Sequence, residues 1–162
     1  MKRFVLSVLV VAVIVVSLGA AYSSHASATE QMLASAGALD KAFIAAFNRG
    51  DRAALTDMYW NSPDVVFFPP DTMVVHGHTA IKDAWAMMTG NTGGLKLEMI
   101  ESHNQAEGTV VLGWGLWKLT MTGPDGKPME MSGRYTDVKA ERGGKWVYLM
   151  DHASVPIPPM AP

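Results

Sequence analysis

From Leu95 onward the chain is a succession of extended segments separated by turn signatures. Leu95, Leu97 and Met99 alternate with Lys96 and Glu98, and a long strand is predicted from Thr109 to Met121. Gly123-Pro124-Asp125-Gly126 is a hairpin turn that returns the chain through Met129 to Glu141, and Gly143-Gly144 turns it again into Lys145 to Ser154. Consecutive strands joined by tight turns pair antiparallel, so this half of the chain is constrained to a meander. Gly113 and Gly115 inside the long strand suit a bend or bulge that lets the sheet curl.

The preceding segment has a different period. Leu39, Phe43 and Phe47 recur every fourth position with Ile44 beside them, predicting an amphipathic helix from about Leu33 to Asn48. Gly50 can close it in the left-handed conformation, and Asp51 can cap a second helix carrying Ala54, Leu55, Met58 and Tyr59 before Pro63 ends it. Short strands are predicted at Val65 to Phe68 and at Met73 to Val75, separated by the Pro69-Pro70-Asp71 turn. Thr79 can cap a third helix bearing Ile81, Ala84, Trp85 and Met88, with Gly90 after its end. Segregated helices and strands make this an α+β domain, its three N-terminal helices covering one face of a curved antiparallel β-sheet.

Ahead of this domain lies a tripartite leader. Lys2 and Arg3 precede the apolar run Phe4 to Leu18, and Ala26-Ser27-Ala28 offers the small side chains a signal peptidase accepts. The chain therefore divides into a signal peptide, 1–28, a domain, 29–154, and a proline-rich tail, 155–162. The expected protein is periplasmic or secreted and leaves the membrane once cleaved. About 134 residues remain, enough for one core. Cleavage takes the balance from 13 basic against 15 acidic residues to 11 against 15, a mildly acidic surface with no footprint for nucleic acid. With no cysteine, a disulfide framework and a thiolate metal site are both excluded.

Three sets of residues carry a resemblance. Phe43 to Asp51 reads F-I-A-A-F-N-R-G-D and is followed by Tyr59; Val75 to Ile81 reads V-H-G-H-T-A-I; Gly133 to Ser154 contains G-R-Y-T-D-V, G-K-W and D-H-A-S. In order and spacing the chain resembles the ketosteroid-isomerase-like (nuclear transport factor 2-like) superfamily, in its SnoaL-like or calcium/calmodulin-kinase association-domain-like branch. The resemblance implies a cone-shaped fold with a cavity between helices and sheet, and frequent homodimerisation through the outer sheet face. In the isomerase itself a carboxylate base works against an oxyanion held by a tyrosine and a neutral carboxylic acid. By that resemblance the tyrosine falls at Phe43 and the base at about Phe68, both apolar here, while the neutral acid falls at Asp137 and two pocket tyrosines at Tyr59 and Trp85. Without a base, steroid isomerisation has no proton acceptor.

Strand alternation sorts the remaining candidates. Trp146, Tyr148, Met150, His152 and Ser154 share one face of the last strand; Val147, Leu149, Asp151 and Ala153 share the other, while Tyr135 and Asp137 share a face of the strand before it. The resembled fold points the Met150/His152/Ser154 and Tyr135/Asp137 faces into the cavity. Asp137 and His152 then form a candidate acid–base pair, since each shifts the other's pKa. Tyr59, Phe68, Trp85, Trp117, Tyr135 and Met150 are the candidate ligand-binding residues. Arg134, of opposite parity, belongs to a surface or dimer interface, and Val147 and Leu149 are candidate dimer contacts. His76 and His78 flank a glycine turn and are read as part of that turn, so no metal and no cofactor is expected. Two functions stay open: a binding domain for a small hydrophobic or aromatic ligand, or a small-molecule isomerase, lyase or cyclase using Asp137 and His152.

Overall fold

The computed structural model describes residues 2–88, 95–123 and 125–156, with side chains from residue 26 onward. The side chains of the apolar leader, Gly90, Pro124 and most of the proline-rich tail lie outside the described residues. Helix α1 spans Lys2–Arg49, well beyond the predicted start. Ala20, Ala21, Ala26, Ala28, Ala34 and Ala36 explain the continuity, because alanine has the highest helix propensity and no proline interrupts the run. Among the described residues, no helix is long and apolar enough to cross a membrane.

Helix α1 ends as its sequence predicts. Gly50 takes a φ of 67°, its N–H donating to Phe47 and that of Asp51 to Ala46, both at 2.9 Å. This double bond is a Schellman motif, which only a residue at ease with positive φ can close cheaply. Asp51 then accepts from the Ala54 N–H at 3.0 Å and caps α2, Arg52–Asp57. Strands β1, Val66–Phe68, and β2, Val75–His76, precede α3, His78–Met88; then come β3, Lys96–Glu107, β4, Val110–Thr122, β5, Pro128–Arg142, and β6, Lys145–Ser154.

The six strands form one curved, unclosed sheet in the order β2-β1-β6-β5-β4-β3. One pairing departs from the expected antiparallel sheet: β1 runs parallel to β6, with Phe67 opposite Asp151. No hairpin joins these two strands. The whole meander intervenes, so turn geometry does not dictate their relative direction.

Two bulges set which side chains face the helices. On β3 the register shifts between Met99 and Glu101, leaving Ile100 outside the ladder and 61% exposed. On β6 Val138 pairs with Met150 while Lys139 pairs with Tyr148, so Leu149 is the extra residue. An extra residue reverses the inside–outside alternation beyond it. Tyr148 faces the helices, and past the bulge Asp151 and Ala153 do so, whereas Met150 and His152 turn to the other side.

Aromatic residues dominate the core. Trp85 of α3 stacks on Phe67 at 5.3 Å between ring centroids and meets Phe43 and Phe47 of α1 edge-on at 5.6 and 6.2 Å. The sheet takes large inward side chains by setting glycines across from them. A Cβ at Gly133 would collide with the Trp117 ring, and one at Gly113 with the Asp137 carboxyl.

Candidate functional site, an aromatic cavity floored by carboxyl groups

Between the helices and the sheet lies a cavity of about 110 Å³. Phe43 and Phe47 of α1, Phe67 of β1, Trp85 of α3 and Trp117 of β4 supply its aromatic wall, with Leu97, Met99, Leu119 and Met131 adding aliphatic surface. Three carboxyl groups interrupt this lining: Asp40 from α1, Asp137 from β5 and Asp151 from β6. Asp137 and Asp151 stand directly opposite one another in the β5–β6 ladder, which puts both on one face of the sheet.

Beneath them Lys139, wholly buried, is the hub of a polar network. Its Nζ donates to both oxygens of Asp40 at 2.6 Å and to Asn104 Oδ1 at 2.8 Å. Asn104 Nδ2 and the Tyr148 hydroxyl also donate to Asp40, at 3.0 and 2.9 Å. Those three bonds use every N–H of the ammonium. Asp137 Oδ1 lies 3.3 Å from the same nitrogen and accepts no hydrogen bond. Asp151 accepts from the Tyr59 hydroxyl at 2.5 Å.

Burial, which penalises the ionised form, pushes Asp137 up to about 7; Asp40 and Asp151 push the same way against the pull of Lys139. The same desolvation raises Asp151 to about 6, opposed by the bond from Tyr59 and by Lys139. Tyr135, whose hydroxyl pairs with Ser102 at 2.8 Å, is raised by burial to about 12. Tyr59 and Tyr148 are raised well above the ordinary tyrosine value, again by burial first.

The structure brings Asp137, Trp85, Trp117 and Tyr135 to this cavity. Tyr59 stands behind the wall, almost fully buried, and reaches the site through Asp151. The expectation that His152 shares the cavity with Asp137 is overturned by the Leu149 bulge. His152 lies on the far face of the sheet in a groove with Trp114, Arg134 and Ser154, its Nδ1 3.3 Å from Thr136 Oγ1. Phe68 is there too, 39% exposed and edge-on to His152 at 5.6 Å, so Phe67 rather than Phe68 lines the cavity. Met150 follows His152's parity and does not line it. The Asp137→Asn variant should therefore leave the His152 ring signals of the proton NMR spectrum in place; displaced ring signals would contradict this placement.

Asp151, Asp40, Lys139 and Asn104 were not among the sequence candidates. Asp40 had a signal, because it sits inside the α1 stripe of Ala36, Leu39, Phe43 and Phe47. Lys139 had one as well, continuing the inward parity of Tyr135 and Asp137. His76 ends β2 and His78 opens α3 around Gly77, whose φ is 82°. Among the described residues no group of three or more His, Cys, Asp or Glu side chains could hold a metal ion.

Helices laid over a bent sheet, with polar groups at the bottom of an apolar cavity, define the class of the nuclear transport factor 2-like fold. The chain belongs to the SnoaL-like domain family, which it matches over residues 37–158. Among solved structures it is similar to a candidate dehydratase of the NTF2-like family from Streptomyces avermitilis, with 19% identity and a TM-score of 0.73, covering 79% of this chain and 99% of that one. It is also similar to an NTF2-like superfamily protein from Salmonella enterica serovar Typhimurium, with 17% identity and a TM-score of 0.72, covering 81% and 95%. A candidate aromatic ring hydroxylase from Novosphingobium aromaticivorans has 17% identity and a TM-score of 0.68, covering 79% and 91%. No curated protein matches the sequence.

Proposed function

We propose that this protein holds a small, mainly apolar molecule in the aromatic cavity, with Asp137 as its polar anchor. One observation carries the reading: Asp137, only 4% exposed, lines a mainly apolar cavity and its Oδ1 accepts no hydrogen bond. A buried polar group without a partner is costly, and an anchoring ligand group would offset that cost. At about 110 Å³ the space is smaller than an apolar cavity of ~150 Å³ that holds benzene, so it suits a ligand of roughly four or five non-hydrogen atoms. Small-molecule sites share this composition, apolar walls with a few convergent polar groups. Protein purified without denaturation should release such a molecule into the mass spectrometer, and Ala153→Leu, which fills the cavity, should release none. Equal release from both proteins would dispose of the reading.

A second reading, a small-molecule isomerase, lyase or cyclase, is favoured by the facing Asp137 and Asp151. Two carboxyl groups raised to about 7 and about 6 suit proton transfer near neutral pH, with Asp151 in the place first given to His152. The names of the Streptomyces and Novosphingobium neighbours agree with chemistry on a small molecule in this fold.

Lys2, Arg3, the apolar run and Ala26-Ser27-Ala28 support export to the periplasm or beyond, with cleavage after Ala28. A homodimer is proposed on the convex sheet face. Val147 is buried within one copy, whereas Leu112, Trp114 and Leu116 are 37, 40 and 44% exposed there. Protein recovered from the cell envelope should begin at Thr29 by N-terminal sequencing and have twice the mature mass by light scattering. A Met1 start would refute export, and a monomer mass at micromolar concentration would refute the dimer.

A further inference from the structure

The charge balance of the cavity narrows the class of ligand, on the reading that the cavity is a ligand site. Asp40, Asp137 and Asp151 present three carboxyl groups to it, and Lys139 supplies one positive charge from beneath. All three lysine N–H groups are spent on Asp40 and Asn104, and Asp151 is served by Tyr59. Asp137, 4% exposed, therefore lines the cavity with its Oδ1 left without a hydrogen bond, 3.3 Å from the Lys139 Nζ.

The walls supply apolar contact. Phe43, Phe47, Phe67, Trp85 and Trp117 surround the space, with Phe67 and Trp85 stacked on one another. We infer that the cavity takes a small organic cation, an amine or quaternary ammonium on a short alkyl body, with its charged nitrogen at Asp137 and Asp151. Surplus carboxyl groups reward positive charge, and the aromatic and aliphatic lining takes the body.

A neutral ligand with a carbonyl or hydroxyl acceptor would instead need Asp137 to keep a proton and donate it. The two classes separate by pH. A cation selects the ionised carboxyl, releases a proton on binding and so binds more tightly as pH rises; a neutral acceptor selects the acid and weakens. The groups facing Asp137 are Asp40 from α1, Asn104 from β3, Tyr135 and Lys139 on its own strand, and Tyr148 and Asp151 from β6, with Tyr59 behind Asp151. The three tyrosines are raised further from the neutral range, while Asp137 and Asp151 are raised into it.

The test titrates the protein with isobutylamine and tetramethylammonium against their neutral counterparts, isobutanol and tert-butanol. Binding is read by calorimetry and by NMR of the methyl groups of Met88, Met99 and Met131, which line the cavity. The cations should bind at least tenfold more tightly than the neutral pair at pH 8, with affinity gaining up to roughly tenfold per pH unit between pH 5 and 7. Asp137→Asn, or Asp151→Asn if the first variant does not fold, should abolish most of the preference while the neutral probes still bind. Neutral probes binding as tightly as the cations would overturn the cation and leave the cavity as a ligand site. Methionine methyls unmoved by any probe would overturn both.

Discussion

Replacing Lys139 by methionine should cost about 3–5 kcal/mol of stability at pH 8, the usual penalty for removing one partner of a buried ion pair. Methionine keeps most of the volume, so the loss is electrostatic. Asp40 loses both of its 2.6 Å bonds, Asn104 Oδ1 loses its donor, and Asp137 loses the ammonium 3.3 Å from its Oδ1. Against a total of about 5–15 kcal/mol for a domain of ordinary stability, that is a large fraction. The defect should shrink at pH 5, where the stranded Asp137 can take up a proton, and in the double variant Lys139→Met/Asp40→Asn, which removes an uncompensated charge. Urea denaturation of the single and double variants at both pH values measures this. A loss below about 1 kcal/mol at pH 8 would mean that the lysine does not hold the cluster together.

The wild-type protein should be more stable at pH 5 than at pH 8, by an amount on the order of a few kcal/mol. Asp137 and Asp151 have folded values of about 7 and about 6 against an ordinary 3.8, so the folded state holds protons the unfolded chain has already released. Stability from a carboxyl raised on folding is fully present below the unfolded value, near pH 4, and is lost as pH rises through the folded values of about 6 and 7. Asp137→Asn has no such proton to lose. It should flatten more than half of the slope and unfold at higher temperature than wild type at pH 8, by roughly 4 °C per kcal/mol. Thermal unfolding at pH 5, 6.5 and 8 decides it; a wild-type midpoint that climbs from pH 5 to 8 would show these carboxyl groups to be ionised and well compensated.

How much of this site was readable depends on which residues are asked about. The α1 face, the Gly50 closure, the Asp51 cap and the strands from Val110 to Ser154 follow from local rules, because period, capping and turn chemistry act over a few residues. Alternation put Asp137 and Tyr135 on one face, since β5 carries no extra residue between them, and the family resemblance turned that face to the cavity. By contrast, the run Val147-Tyr148-Leu149-Met150 is apolar throughout and fixes no phase. One looped-out residue at Leu149 then exchanged His152 for Asp151 at the cavity.

The sequence by itself determined the α+β class, the meander and the aromatic stock from which the cavity is built, because these rest on periodicity and composition. Only the tertiary structure decided which acids meet. Asp40 and Lys139 are 99 residues apart, and Asp137 and Asp151 face each other through a register set by hydrogen bonds across the sheet. Helix-to-sheet packing and strand register are non-local, so the charge balance at the cavity floor has no local signature in the chain.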